Sequence, residues 1–210
     1  MWWQLLICAA FGYLLGSIPT GLLAGRLARG IDIREYGSGR TGFTNVLRTV
    51  GARWAAASLA GDIAKGVIPV VVARVISDDP YVLMVAGMAA AVGHDWPVFA
   101  GFQGGRGVAT SYGAAVVMNP IAALALLPVG IGLVAVTRIV SVMSVGLAPV
   151  LAVVFVALAV AGIHPWPYAF YAVAAAVLVV VLHRENIERL LAGTEPKIGG
   201  GSARRDDTKE

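Results

Sequence analysis

Apolar residues fall in long runs along this chain, with none of the alternation of a half-buried strand or the single stripe of a soluble helix. A helix crossing a hydrocarbon core about 30 Å thick needs about 20 mainly apolar residues. Runs of this kind occupy positions 2–23, 54–76, 81–92, 108–118, 121–136, 139–161 and 166–182. The third and fourth are short, and Asn119-Pro120 is the only break between the fourth and fifth. The pattern predicts an all-α integral membrane protein of about seven transmembrane helices, built as one domain over 1–198. Positions 199–210 are small and charged and are expected to form a disordered cytoplasmic tail. The sequence shows no internal repeat.

Composition strengthens this reading: 58% of residues are hydrophobic and 13% charged, with a mean hydropathy of +0.79. Soluble domains carry roughly 25% charged residues. The net charge of +4 does not point to nucleic acid, because no basic stripe with interleaved aromatics accompanies it. The first run begins Met1-Trp2-Trp3-Gln4 with no basic residue and continues with no clear cleavage site, so it reads as a span and not as a signal peptide. Cys8 is the single cysteine, which excludes an internal disulfide and leaves it as a small buried hydrophobe.

Charge then orients the spans. Arg26, Arg29, Arg34, Arg40, Arg48 and Arg53 lie between the first two runs, and Arg184, Arg189, Lys197, Arg204, Arg205 and Lys209 follow the last. With seven spans these regions share a side with Arg106 and Arg138, while 77–80, 119–120 and 162–165 face the other. Cytoplasmic loops collect Lys and Arg, so the N-terminus is expected outside and the C-terminus in the cytoplasm.

The basic side is dense in groups that bind anions. In the first loop, Gly37, Gly39 and Gly42 permit tight turns whose N–H groups can converge on an oxyanion. Ser38, Thr41, Thr44 and Asn45 add neutral hydrogen-bonding groups, and Arg40 and Arg48 add planar guanidinium forks suited to phosphate. In the second loop, Gly104, Gly105, Arg106 and Gly107 feed a helix starting near Val108, whose N-terminus offers unpaired N–H groups and a positive dipole end. Neither loop has the spacing of a nucleotide-binding P-loop. An ordinary positive-inside loop with glycine turns is the plainer reading of either stretch alone.

The third stretch, 183–193, is expected to continue the last span as a helix to a glycine cap at Gly193. It places His183 and Asn186 on one helical face. His183 and Glu188 also fit a His-x4-acid pattern, but five residues turn a helix by about 500°, leaving the side chains about 140° apart and unsuited to a dyad. Asp62 and Lys65 stand at i,i+3 within a span. Intramembrane charges are functional candidates because their desolvation is costly, although a mutual pair fixing helix packing explains them as well. Ser141 and Ser144, next to Arg138, are candidates to complete the polar site. His94, His164 and His183 fall on different sides with no clustered cysteine or carboxylate, so no metal site is expected, and no cofactor motif is visible.

At these residues the chain resembles the bacterial acyl-phosphate:glycerol-3-phosphate acyltransferases, the PlsY family. The resemblance rests on Gly16-Ser-Ile-Pro-Thr-Gly21 leading into Asp32-Ile-Arg34 and Gly37 to Arg48, then on Gly93-His94 to Thr110, then on His183-Arg-Glu-Asn-Ile187, with Gly61-Asp-Ile-Ala-Lys-Gly66 also in place. It implies a seven-span, metal-free enzyme of the bacterial inner membrane, facing the cytoplasm, that converts a fatty acyl phosphate and glycerol 3-phosphate to lysophosphatidic acid and inorganic phosphate. It implies that Ser38, Arg48, Arg106, His183 and Asn186 form the phosphate and glycerol site, with Thr44 and Asn45 beside them; Asp62, Lys65 and His94 are candidates to support that site. It further implies that the acyl phosphate itself assists the proton transfer. The chain departs from the family pattern at Arg40, where Asn is usual, at Phe43, where Ala is common, and at Arg106, where Lys is usual. A polytopic small-solute transporter and a structural membrane subunit are the alternatives from other classes; a transporter site is expected near the bilayer midplane.

Overall fold

The computed structural model describes residues 2–199, so the expected tail beyond Gly199 lies outside the described residues. Their helices are α1 (Trp2–Gly16), α2 (Thr20–Arg29), α3 (Phe43–Thr49), α4 (Ala52–Ile76), α5 (Pro80–Asp95), α6 (Val108–Met118), α7 (Pro120–Thr137), α8 (Val140–Val160), α9 (Trp166–Leu182) and α10 (Arg184–Leu191). Short 3-10 turns occupy Ile33–Glu35 and Val98–Ala100.

By length and composition, Trp2–Arg29 taken across its break, Pro80–Ala100, α7 and α8 are apolar and long enough to cross a membrane. The bent pair α9 and α10 adds a fifth candidate. Helix α4 has 25 residues, about 37 Å at the helical rise, but it carries Arg53, Asp62, Lys65 and Arg74. Helix α6 has only 11 residues, short of a full crossing by itself. The apolar runs thus match helices closely, and the helix starts have local causes. Asp79 caps α5 by accepting from the Tyr81 N–H at 2.9 Å, and Asn119 caps α7 by accepting from Ala122 at 3.0 Å. In each case a proline follows at the first helical position, where its missing N–H costs nothing.

Two expectations of continuity are corrected. The first run is broken at Ser17-Ile18-Pro19, because Pro19 lacks an N–H and disfavours helical geometry at Ile18. The stretch after α9 does not continue it: His183 closes α9, donating its N–H to Val179 and Val180 at 3.0 and 3.1 Å, and α10 departs at 61°. The bend turns α10 back over the end of the bundle, where it contacts α8 and α9.

Helix α1 packs on α5, α4 on α5 and α6, and α8 on α7 and α9. Small residues let these backbones approach, as membrane packing requires where lipid tails remove the hydrophobic drive between helices. A Cβ at Gly66 would collide with the Thr110 carbonyl oxygen, and one at Gly113 with that of Ile63. Val70, Leu83, Ala114, Phe155 and Tyr171 fill the core, and Tyr171 satisfies its hydroxyl on the Ser111 carbonyl at 2.9 Å. Gly66→Val is therefore expected to force α4 from α6 and lower the thermal unfolding midpoint of purified protein by many degrees. Gly132→Ala, with nothing within 4 Å of the new methyl, is expected to leave it unchanged. Equal midpoints for the two variants would refute the close α4–α6 approach.

Candidate functional site

The site lies where α4 and α6 begin and α5 and α9 end. Beneath it sits a buried polar knot. Lys65 Nζ is 2.9 Å from Asp62 Oδ1 and donates at 2.9 Å to the Ile18 carbonyl, one of the carbonyls exposed by the break between α1 and α2. Thr20 Oγ1 donates to Asp62 Oδ1 at 2.6 Å, and His94 Nδ1 stands 3.3 Å from the same oxygen. Asp62 and Lys65 thus join α1, α2, α4 and α5, which is the packing role the sequence allowed them.

The first loop is shaped by two side chains. Arg34 lies across Asp32 and donates Nη1 to the Ala100 carbonyl at 2.8 Å, tying the first loop to the second. Asn45, only 3% exposed, points its amide nitrogen at the carbonyls of Ile33, Tyr36 and Arg40 at 3.0, 3.1 and 2.8 Å. That amide nitrogen is committed to the loop, which gives Asn45, expected among the substrate-binding groups, a scaffold role in the chain without ligand. Gly37 and Gly39 take left-handed backbone angles of 51° and 69°, while Gly42 is extended and starts α3. The hydroxyls of Ser38 and Thr44 have no hydrogen-bond partner among the described residues, and Arg48 at the end of α3 reaches the Pro196 carbonyl at 2.7 Å.

The second loop packs on His94. The Gly105 N–H donates to the His94 carbonyl at 3.1 Å, so this glycine is not offering that N–H to a ligand as expected. A Cβ at Gly104 or Gly105 would strike the His94 backbone or ring, which explains both glycines by packing. The Thr41 N–H meets the Gly104 carbonyl at 3.4 Å and completes the seam between the loops. Gly107, left-handed at 69°, caps α6, and Arg106 anchors Nε on the Leu182 carbonyl at 3.1 Å.

Beyond α10 the chain returns across this end. Glu195 accepts from Ser141 Oγ at 2.7 Å, Asn186 Nδ2 at 2.6 Å and Arg189 Nε at 2.7 Å. Arg138 fixes the next residues, exchanging bonds with Ile198 at 2.7 and 3.0 Å. Burial opposes ionisation of Glu195, but the donors from Asn186, Ser141 and Arg189 outweigh it and hold its pKa below the ordinary carboxylate range. Sequence reasoning weighed Glu188, which is exposed, and missed Glu195. An acid after a helix-ending glycine in a charged segment carries no signal that marks it from a solvated tail. Ser144 is buried, but its hydroxyl bonds back to Val140 at 3.2 Å and does not join this cluster. Asp95 is a second omission: 1% exposed, its carboxylate faces Gly107 with no hydrogen-bond partner among the described residues.

The remaining groups set the electrostatics. Burial first, then neighbouring Arg40 and Arg189, lower the Arg106 pKa to about 10, which leaves it charged at neutral pH. Burial likewise lowers the His183 pKa to about 4, with Arg106 and Arg40 adding to the effect against the Val179 carbonyl. His183 Nδ1 lies 2.7 Å from that carbonyl, which can only accept, so Nδ1 carries the proton and Nε2 of the neutral ring is an acceptor.

A helical membrane bundle that gathers arginines, hydroxyls, an amide and a neutral imidazole at one end of its helices defines an integral membrane protein with a polar, positively charged candidate site. The chain belongs to the glycerol-3-phosphate acyltransferase family, whose model matches residues 6–193. Relatives named glycerol-3-phosphate acyltransferase include one from Rubrobacter xylanophilus, 44% identical over 91% of this chain and 94% of the relative. Another, from Geobacter sulfurreducens, is 46% identical over 90% and 95%. The fold matches the crystal structure of PlsY, an integral membrane glycerol 3-phosphate acyltransferase, in its glycerol 3-phosphate form, with a TM-score of 0.82 and 37% identity over 93% of this chain and 96% of that one. The lysophosphatidic acid form matches with the same score at 38% identity.

The imidazole nitrogens give a direct check on this electrostatic balance. Because the folded pKa of His183 is depressed, the ring stays neutral down to about pH 5 and charges only near about 4. Nitrogen-detected NMR of the purified protein is expected to show Nδ1 protonated and no His183 titration between about pH 5.5 and 8. A midpoint near the ordinary histidine value of about 6.5 would show that water reaches the ring.

Proposed function

We propose that this chain transfers a fatty acyl group from an acyl phosphate to the 1-position of sn-glycerol 3-phosphate, giving lysophosphatidic acid and inorganic phosphate for phospholipid synthesis. The observation that carries the reading is the convergence of all three sequence stretches on one end of the bundle, in a chain that belongs to this acyltransferase family. The glycerol 3-phosphate and lysophosphatidic acid forms of the PlsY crystal structures support the acceptor and the product. A transporter is disfavoured because the polar groups gather at helix ends, away from a midplane site.

In this reading the glycerol 1-hydroxyl oxygen attacks the acyl carbonyl carbon, and the bond from that carbon to the phosphate oxygen breaks. The departing phosphate takes up the hydroxyl proton directly or through solvent. Arg48 and Arg106 bind phosphate groups, and Ser38, with its uncommitted hydroxyl, supplies a hydrogen bond. Ring nitrogen Nε2 of His183 accepts a hydrogen bond from a glycerol hydroxyl, and Asn186 completes the polar wall; its buried Oδ1 has no partner in the ligand-free chain. Preorganised donors stabilise developing charge more effectively than water, because they need not reorient during the reaction. Phosphate is a good leaving group, so orientation and charge suffice.

The donor is the first point to test. Purified protein is expected to form lysophosphatidic acid from acyl phosphate and glycerol 3-phosphate, with no product from acyl-CoA or acyl carrier protein. Product from a thioester alone would overturn the donor assignment, and product from none would reopen the transporter reading. The reading also places the chain in a bacterial inner membrane, with seven spans counting α4 and α6, the N-terminus outside and the site in the cytoplasm. The arginines flanking α2, α3 and α10 support this orientation. Asp79→Cys is then expected to react with a membrane-impermeant thiol reagent added outside intact cells, and Arg184→Cys only after lysis. The reverse labelling pattern would invert the topology.

A further inference from the structure

Apart from Arg40, each half-buried arginine at this end spends at least one donor within the chain. Arg34 is paired with Asp32, Arg189 with Glu195, and Arg48 reaches the Pro196 carbonyl. Arg40 differs: it is half-buried, yet among the described residues its guanidinium makes no hydrogen bond and no ion pair. Its backbone is fixed nonetheless. Asn45 holds the Arg40 carbonyl at 2.8 Å, and the adjoining Thr41 N–H meets Gly104, two residues before Arg106. Arg106 uses only Nε for its bond to Leu182, which leaves both terminal nitrogens unspent. Arg40 and Arg106 therefore stand near enough to act on one another's charge, while Asp95, Glu185 and Glu195 offset part of it from a distance and none of them hydrogen-bonds either guanidinium. Like charges held together under partial burial are costly unless an anion sits between them.

We propose that Arg40 is a second prong beside Arg106, and that the two guanidinium groups together hold one phosphate monoester dianion. The inference rests on the acyltransferase reading for the identity of that anion, which is the phosphate of glycerol 3-phosphate or of the acyl phosphate. Guanidinium groups suit the task because each presents paired donors to phosphate oxygens. The reaction brings two phosphate groups into one site, and the residual charge of this pair matches that demand.

Inorganic phosphate, the released product, is the probe. Calorimetric binding to purified Arg40→Gln is expected to be at least about tenfold weaker than to the unaltered protein, as loss of a charge-assisted hydrogen bond implies. Arg40→Lys should lose less, and Arg29→Gln, an exposed arginine outside the site, should lose nothing. Steady-state kinetics on the same proteins identifies the anion: a raised KM for acyl phosphate assigns the donor, and a raised KM for glycerol 3-phosphate the acceptor. Unchanged phosphate affinity and unchanged KM values in Arg40→Gln overturn the proposal. So does an equal loss in Arg29→Gln, which would reveal a diffuse field in place of a site. Phenylglyoxal modification of Arg40 in the unaltered protein, read by mass spectrometry, is expected to slow in the presence of phosphate, and unslowed modification also overturns the proposal. Phosphate binding that depends on Arg40 in a protein making no lysophosphatidic acid would sink the acyltransferase reading alone.

Discussion

Two opposite charges taken out of water cost several kcal/mol each unless their hydrogen bonds are remade inside the protein. Asp62 and Lys65 are 2% and 4% exposed, and each remakes those bonds with a different helix. Asp62 draws in Thr20 from the start of α2 and stands beside His94 at the end of α5, while Lys65 takes the Ile18 carbonyl. That carbonyl needs such a partner, because backbone groups freed at a helix break within a membrane find no water. The break lets α2 diverge and launch the first loop. His94 in turn is the surface on which Gly104 and Gly105 lie. Both glycine-rich loops thus hang from one buried ion pair, and removing either member would leave the other charged and unsatisfied beneath the site.

Above that knot, the polar groups divide by whether they have partners. Asp32, Arg34, Asn45, Ser141, Arg189 and Glu195 spend their hydrogen bonds on one another or on backbone, which holds the loops and the returning chain in place. Arg40, the terminal nitrogens of Arg106, the hydroxyl of Ser38 and the outer nitrogen of His183 remain open. A site for anionic substrates needs both classes, since donors left open are pre-aimed only if the backbone beneath them cannot relax. Burial keeps His183 neutral among arginines, and so supplies a ring-nitrogen acceptor beside the guanidinium donors.

The apolar runs made the helices legible in the sequence, and the proline and asparagine before them made several starts legible too. Hydropathy cannot register a bend, however. Leu182, His183 and Arg184 read as a continuing helix because none of them is a helix breaker, and the turn into α10 is stabilised by tertiary contacts with α8 and α9. The same limit governs the site. Glycine, hydroxyl and arginine content identified the three stretches, but chemistry alone could not separate Asn45, a loop clamp, from Ser38, an open donor. That distinction depends on which carbonyls lie within reach after folding. Glu195 was illegible for a further reason, since one of its three partners comes from α8 and two from α10, and no local spacing encodes that meeting.

The arrangement also explains why so much positive charge can persist at one end of a small bundle. Arginine is permanently charged at neutral pH, so these residues cannot escape repulsion by losing protons, as a buried lysine would. The chain offsets part of the repulsion with carboxylates, Asp32 paired with Arg34 and Glu195 with Arg189. Arg40 and Arg106 feel Asp95, Glu185 and Glu195 only at a distance, with no ion pair to either among the described residues. An added carboxylate there would stabilise the empty protein, but it would compete with any phosphate for the same donors. In the proposed reaction two phosphate-bearing substrates meet at this end and one phosphate leaves, and residual positive charge there serves both steps.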